Sequence, residues 1–397
     1  MTETFNEQIQ RIKRKIPLAK RADSYLYVFG ASSHKYKIKA PVALKEVLQF
    51  EEKFSFSLPE CYRSFILQVG NGGLAYPNYV HDGSAAGPYY GIFPFGTSLD
   101  SMIREWGEET TEQRIIYQFT RECVLFPGMT KEEWKNLREK EENDDDFSVY
   151  RGILPIGTQG CTYFSGLILN GEPRGKVVYL DEGRQKPIFP FAKNFLSWYE
   201  RWLDDIISED SITDMPVGVA LCKGETELEL LEEHKNTTDP KDKLDCLCGL
   251  VRKKKLTSQT LSYIEALLVD CSEDEKKVCL RLLCKFDYNQ AKPYLLELAK
   301  TDLLSFFQLS HWYAKDKNQD WLPVIRENIY TINDPETFRY CTYLLREVKK
   351  AIANEILTPY LHHSNREMRD QAAYILGSSS IEHKTSKPTK KWWQFWK

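Results

Sequence analysis

The strongest constraint on this chain is a fixed period in its carboxyl-terminal half. Cys248, Cys279, Ser310, Cys341 and Ala372 follow one another at a step of 31 residues, and all five are small. Val251, Leu282, Tyr313, Leu344 and Ile375 fall on the same step, as do Tyr263, Tyr294, Ile325 and Ile356, and Leu267, Leu298, Ile329 and Tyr360. A period of this size marks stacked supersecondary units. The spacing predicts two short helices per unit over residues 238–377, the first with a small residue where a neighbouring helix approaches closely and the second with an apolar face. Such units stack into an all-α solenoid. Cap signals agree, because Ser272-Glu273-Asp274-Glu275 has capping-box spacing and Asp334-Pro335-Glu336 sets proline just inside a helix. Solenoids offer long recognition surfaces and rarely hold active sites, so this half points to binding.

With 397 residues, the rest of the chain has room for a second domain with its own core. The net charge of -3 gives no general attraction to nucleic acid or anionic membrane, so any electrostatic recognition is local. None of the ten cysteines forms a pair with the two-residue gap of a zinc or redox motif, and several sit among leucines. Reduced, buried thiols and a cytoplasmic location are therefore expected. Residues 1–20 lack the apolar stretch of a signal peptide, and no segment reads as a membrane span.

In the first half, Phe5, Ile9, Ile12 and Ile16 recur on one helical face and predict an amphipathic helix, serving as a lid or a brace. Leu44, Val47, Leu48 and Phe54 predict a second apolar face. Pro59 suits the first turn of a helix lined by Tyr62, Phe65, Ile66 and Val69 and stopped by Gly70-Asn71-Gly72-Gly73, residues that tolerate a left-handed C-terminus. Gly87 to Phe95, Ile153 to Ile156, Phe164 to Leu169 and Gly175 to Leu180 read as strands, with Gly157 to Gly160 as a connection and hairpin chemistry at Asn170-Gly171. Phe195, Trp198, Tyr199, Trp202 and Ile206 form a closing apolar helical stripe. Helices, then meandering strands, then a covering helix describe an α+β domain.

These residues carry a family resemblance. Leu58-Pro59-Glu60-Cys61-Tyr62-Arg63-Ser64-Phe65 leading into Val69 to Gly73, then Gly87 to Pro94, Ile153 to Gly157, Leu169-Asn170-Gly171 and Gly175 to Val178, resemble the signature of the SUKH superfamily. Leu58, Pro59, Gly70, Asn71, Gly72, Gly73, Gly91, Gly157 and Gly171 are its structural motif positions. The resemblance implies a SUKH-type sheet with covering helices over residues 1–209, departing from the compact pattern by a charged insertion at about 105–150. The family includes a yeast cell-wall assembly regulator and bacterial immunity proteins that bind toxins, often nucleases, so the resemblance implies binding. Asn365 to Gly377 resembles a HEAT-type repeat helix. The period is short for that class, so the solenoid is HEAT-like, joined through a linker and connecting helix at 210–237.

An immunity protein that neutralises a polymorphic toxin is the expected function, with a regulatory scaffold for envelope or signalling proteins as the alternative. Glu139, Glu141, Glu142, Asp144, Asp145 and Asp146 are the candidate partner contacts, since carboxylates facing a basic nuclease cleft speed association. Residues 378–397 read as a polar linker and a basic tail. There Trp392, Trp393, Phe395 and Trp396 suit either weak peripheral contact with the inner face of a membrane or a groove on the solenoid. Catalysis finds little support. Gly70 to Gly73 lacks a P-loop lysine, His81-Asp82 lacks a nucleophile, and Asp144 to Asp146 lack calcium-loop spacing. His362-His363 lacks zinc partners, and Cys61 sits among apolar neighbours. A hydrolase hidden in the SUKH pocket ranks a distant third. No enzyme, cofactor, metal or direct nucleic-acid partner is expected.

Overall fold

The amphipathic pattern at the amino terminus folds as helix α1 (Phe5–Ala22), whose Ile9 and Ile12 are fully buried. A computed structural model describes residues 5–73, 85–95, 119–144, 147–160, 162–181, 185–209 and 218–377. Contacts divide the chain into two compact units, Met1–Lys254 and Lys255–Lys397.

Within the first unit, α2 (Ala31–His34), α3 (Leu44–Lys53), α4 (Glu60–Gln68) and α5 (Lys131–Asn143) precede the strands β1 (Ile153–Gly160), β2 (Tyr163–Ile168) and β3 (Val177–Asp181). Helices α6 (Phe195–Ile207), α7 (Glu227–Asn236) and α8 (Pro240–Val251) follow. The α6 stripe buries Phe195, Trp198, Tyr199, Trp202 and Ile206 against α1 and α4, so α1 is a brace inside the core and not a lid. One carboxylate clamps the pair. Glu200 accepts from Gln8 Nε2 at 3.0 Å, Arg11 Nε at 2.7 Å and Lys15 Nζ at 2.8 Å. Burial opposes the Glu200 charge, but hydrogen bonds from Arg11, Lys15 and Gln8 outweigh it and hold the carboxyl below its ordinary range.

The sheet is an antiparallel meander in the order β1-β2-β3, with Leu154 opposite Leu167 and Gly166 opposite Val178. Leu154, Ile156, Leu167, Val177 and Tyr179 face the core of α1, α4 and α6. Ile153, Phe164, Ile168, Val178 and Leu180 face a second core built from Leu125, Met129, Trp134, Phe147 and Val149. Both faces are covered, which is why Val177 to Asp181 is buried throughout and shows no polar alternation. The second cover comes from within the charged insertion. Its described part, residues 119–144 and 147–150, is thus part of the fold and not only an appendage.

Several local expectations change. Gly157 to Gly160 lie inside β1, at two register irregularities, and Gly87 to Phe95 forms no strand but a single bridge from Ile92 to Gly157. Pro59 is the N-cap of α4 and stands outside its first turn. On α3 only Val47 is buried, while Leu44 and Leu48 are about half exposed. The β2–β3 connection is longer than a two-residue turn, with Gly171 at φ +78° and Gly175 at φ +83°.

Four of the motif glycines, Gly70, Gly72, Gly91 and Gly157, serve close backbone crossings. Gly70 and Gly72 do not have positive φ. A Cβ on Gly70 would fall 2.4 Å from the Lys39 carbonyl oxygen, and one on Gly72 would fall 2.1 Å from that of Phe93. On Gly157 it would lie 2.4 Å from the Gly91 oxygen, and on Gly91, at φ +98°, 1.7 Å from the Ala85 oxygen. Segments 70–73 and 85–93 and strand β1 therefore meet backbone to backbone.

Residues 218–254 complete the first unit beyond the expected boundary at 209. Tyr179 Oη donates to the Val219 carbonyl at 2.7 Å, and the Val219 N–H donates to Tyr89 Oη at 3.1 Å. Buried Asp205 accepts from Arg201 Nε at 2.5 Å and from Arg252 at 3.3 Å, and Arg252 also donates to the Gly218 carbonyl at 2.9 Å. Helix α8, expected as the first repeat helix, thus lies in the first unit, where Cys246 is buried and Cys248 only partly so.

His34 is fully buried in this unit; its Nδ1 accepts the Tyr36 N–H at 3.0 Å, and its ring stands edge-on to Tyr36 and Trp202. Burial lowers its pKa from 6.5 to about 4. The folded state keeps His34 neutral while the unfolded chain takes up a proton, so stability is lost as pH falls from 6.5 toward 4, by about 3 kcal/mol. In urea unfolding at several pH values, His34→Asn, which keeps an acceptor for Tyr36, is expected to show a flatter acid dependence than wild type. Identical slopes would refute the assignment.

The second unit is helical. It comprises α9 (Ser258–Leu267), α10 (Glu273–Phe286), α11 (Tyr288–Leu298), α12 (Leu303–Tyr313), α13 (Asn318–Asn328), α14 (Pro335–Leu344), α15 (Lys350–Leu357) and α16 (Arg366–Leu376). The Ser272 capping box and the Asp334 cap with Pro335 behind it form as read. Helix α10 packs against α12, α12 against α14 and α14 against α16, burying the small residues Cys279, Ser310, Cys341 and Ala372. The alternate helices bury Ile264, Leu295, Ile325 and Ile356. Their steps are 31, 30 and 31 residues, so Tyr263 and Tyr294, which the strict period selects, are only partly buried.

Candidate partner-binding face

Residues 23–30, Asp-Ser-Tyr-Leu-Tyr-Val-Phe-Gly, form a loop between α1 and α2 that its own side chains hold rigid. Asp23 is buried; its carboxylate accepts from the Tyr27 N–H at 2.7 Å, the Val28 N–H at 3.3 Å and Tyr36 Oη at 2.6 Å. Burial, then the hydrogen bond to Asp23, raise the Tyr36 phenol far above its ordinary pKa, so this donor stays protonated. Leu26 has φ +59° and Gly30 φ +81°, and a Cβ on Gly30 would lie 1.8 Å from the Tyr89 carbonyl oxygen. The loop is therefore fixed at both ends.

Its side chains alternate. Leu26 and Val28 pack inward against the core, whereas Tyr25, Tyr27 and Phe29 are 79%, 75% and 50% exposed. Tyr25 and Tyr27 stack at 5.7 Å, and Phe29 stands edge-on to Tyr90 at 5.1 Å and to Tyr89 at 6.4 Å. Three outward rings on a backbone already ordered lose little entropy on binding, and aromatic side chains of this kind dominate interface energies. Sequence reasoning passed over the run. Its available signal was period-2 alternation of aromatic and aliphatic residues between Asp23 and Gly30, which reads equally as a buried strand.

The acidic candidates are less available than their sequence suggests. Glu141 bonds Arg138 and accepts the Val149 N–H at 3.0 Å, so it holds the second core together. Glu139 is exposed but faces Lys135 at 3.4 Å. Glu142 and Asp144 are exposed at the end of α5, and the Asp144 carbonyl accepts the Phe147 N–H at 2.9 Å. Lys131, Lys135, Arg138 and Lys140 interleave with the acids along α5, which leaves no single-sign surface. Asp145 and Asp146 lie outside the described residues, as do His81, Asp82, Trp392, Trp393, Phe395 and Trp396.

The motif positions are architectural. Leu58 is buried and its N–H donates to Glu51 at 2.9 Å; Asn71 Oδ1 accepts from the Gly72 and Phe95 N–H groups at 2.8 and 2.7 Å; and the Gly73 N–H donates to the Ile92 carbonyl at 3.0 Å. Cys61 is buried with its pKa raised by burial, which disfavours a nucleophilic thiolate. Among the described residues, no group of three or more His, Cys, Asp or Glu side chains could hold a metal ion, and no helix is long and apolar enough to cross a membrane.

No curated protein and no solved structure matches the chain. Residues 41–201 match the SMI1 / KNR4 family (SUKH-1), a segment that contains α3, α4, the sheet, most of α6 and every motif glycine, and that begins after the aromatic loop. On that match and that architecture, residues 41–201 of this chain form a domain of the SMI1 / KNR4 family (SUKH-1).

Proposed function

We propose that this protein is an immunity protein whose first unit binds a toxin domain and blocks it by occupying its surface. The SMI1 / KNR4 family includes toxin-immunity proteins and regulators, and binding of protein partners is typical of it. The observation that carries the reading is the rigid loop presenting Tyr25, Tyr27 and Phe29 to solvent. Because the loop lies amino-terminal to the family segment, it can vary with the partner while the fold is kept. In this reading the aromatic rings supply the affinity, and Glu139 and Glu142 contribute mainly to association rate at the rim.

The test is co-expression with the toxin domain encoded beside the gene, followed by titration of the purified pair. Tyr25→Ser, Tyr27→Ser and Phe29→Ser together are expected to weaken binding about 100-fold or more and to abolish protection, because hot-spot truncations cost about 2 kcal/mol or more each and do not simply add. Glu139→Lys with Glu142→Lys is expected to change affinity less than tenfold and mainly through the on-rate. Full protection by the triple variant, or no complex with the unaltered chain, refutes the proposal.

A further inference from the structure

The 31-residue step sets a second row of side chains that helix stacking does not use. Trp312, Tyr343 and Tyr374 lie one period apart on α12, α14 and α16, helices that pack in that order. Trp312 and Tyr374 are 47% and 46% exposed, and Tyr343 is half-buried. His311 stands 5.0 Å from the Trp312 ring and 5.3 Å from that of Tyr343, and the Arg346 guanidinium lies 5.4 Å over Tyr374. His311 thus links the rings of Trp312 and Tyr343, and Arg346, three residues beyond Tyr343, covers the ring of Tyr374.

The charges that act on His311, within the row, are both cationic. Lys315 and Arg346 are exposed, and neither has a carboxylate partner among the described residues. Burial, and then these two cations, lower the His311 pKa to about 4, so at neutral pH it adds no charge of its own. The surface has two fixed positive charges beside three aromatic rings.

Spacing selects the ligand. Axes of packed helices lie about 8–10 Å apart, which sets the interval between rungs. A polyproline II chain repeats every three residues, a rise of about 9 Å, so one side chain per turn meets each ring. An extended β-strand repeats its facing side chains at about 7 Å and falls out of step. Single-stranded nucleic acid needs a basic groove along its backbone, but cations and anions are nearly balanced over residues 255–377. The chain's own tail is a poor occupant, because Lys384, Lys387, Lys390 and Lys391 carry the same sign as Lys315 and Arg346.

We infer that Trp312, Tyr343 and Tyr374, with Lys315 and Arg346, form a docking surface for an acidic, proline-rich peptide segment of a partner protein in the polyproline II conformation. Prolines lie on the rings, as in other aromatic-lined grooves, and carboxylates meet the two cations. This surface belongs to the second unit, whereas the aromatic loop belongs to the first.

Fluorescence anisotropy of a labelled peptide of repeated Glu-Pro-Pro against the full chain tests the inference. Equal-length Lys-Pro-Pro and Glu-Gly-Ser peptides and an oligouridylate serve as the comparisons. Saturable binding of the Glu-Pro-Pro peptide, at least tenfold tighter than the others, is expected. Trp312→Ala and Tyr374→Ala should each weaken it about tenfold. Lys315→Glu with Arg346→Glu should shift the preference to Lys-Pro-Pro, with thermal unfolding confirming that each variant is folded. Absence of saturable binding, equal binding of Glu-Gly-Ser, tighter binding of the oligonucleotide, or folded variants that bind as wild type would each overturn it.

Discussion

Replacing Asp205 with alanine is expected to destabilise the first unit by about 3–5 kcal/mol, the range for removing the counter-charge from a buried ion pair. Asp205 serves two arginines. Arg201 reaches it along α6, and Arg252, whose side chain is 3% exposed, reaches it from the end of α8. Without the carboxylate, Arg252 keeps only the Gly218 carbonyl, and its charge stays buried. Asp205→Asn keeps the shape and one acceptor, so a smaller loss is expected. Urea unfolding followed by far-UV circular dichroism measures both, and a loss below about 1 kcal/mol for alanine would show that solvent already compensates the arginines.

Gly91→Ala is expected to cost about 3 kcal/mol or more, from two additive causes. At φ +98° an L side chain is strained, and its Cβ would meet the Ala85 carbonyl oxygen at 1.7 Å, so backbone must move. Gly128 separates the causes, since it has φ +85° but nothing within 4 Å of the added carbon. Gly128→Ala therefore bears the conformational cost alone, about 1–2 kcal/mol. Equal losses at the two positions, read from thermal or urea midpoints, would mean that the backbone crossing contributes nothing.

Periodicity made the helices legible. Ile9 and Ile12 of α1, Phe65 and Ile66 of α4 and the α6 stripe are buried as their spacing implies, because a helix buries one face. Strands β1 to β3 were legible from composition, but their limits were not, since irregularities at Pro155/Gly157 and Thr158/Gly160 leave no local signature. Gly70 and Gly72 show how a correct motif can carry a wrong reason. A glycine read from sequence suggests left-handed backbone, whereas the need here is for contact with residues distant in sequence. The same non-locality hid the second core, because Trp134, Phe147 and Val149 are sparse among charges and meet only on the folded sheet. Of the candidate face, the acidic residues were visible as a run, and their engagement by Arg138, Lys135 and Val149 was not. The aromatic loop was missed because exposure of Tyr25 and Tyr27 follows from the buried Asp23 that fixes the turn.

The uneven step of Ile264, Leu295, Ile325 and Ile356 beside the even one of Cys279, Ser310, Cys341 and Ala372 bears on how this array tolerates change in length. Between Ser310 and Ile325 there is one residue fewer than between Cys279 and Leu295, and between Ile325 and Cys341 one more than between Leu295 and Ser310. The residue lost between Ser310 and Ile325 is thus regained before Cys341, leaving the first helices in register. Those helices behave as a spine, while the second helices take up the slack. Trp312, Tyr343 and Tyr374 all stand on the spine, so compensating changes in length between its helices leave the row unbroken.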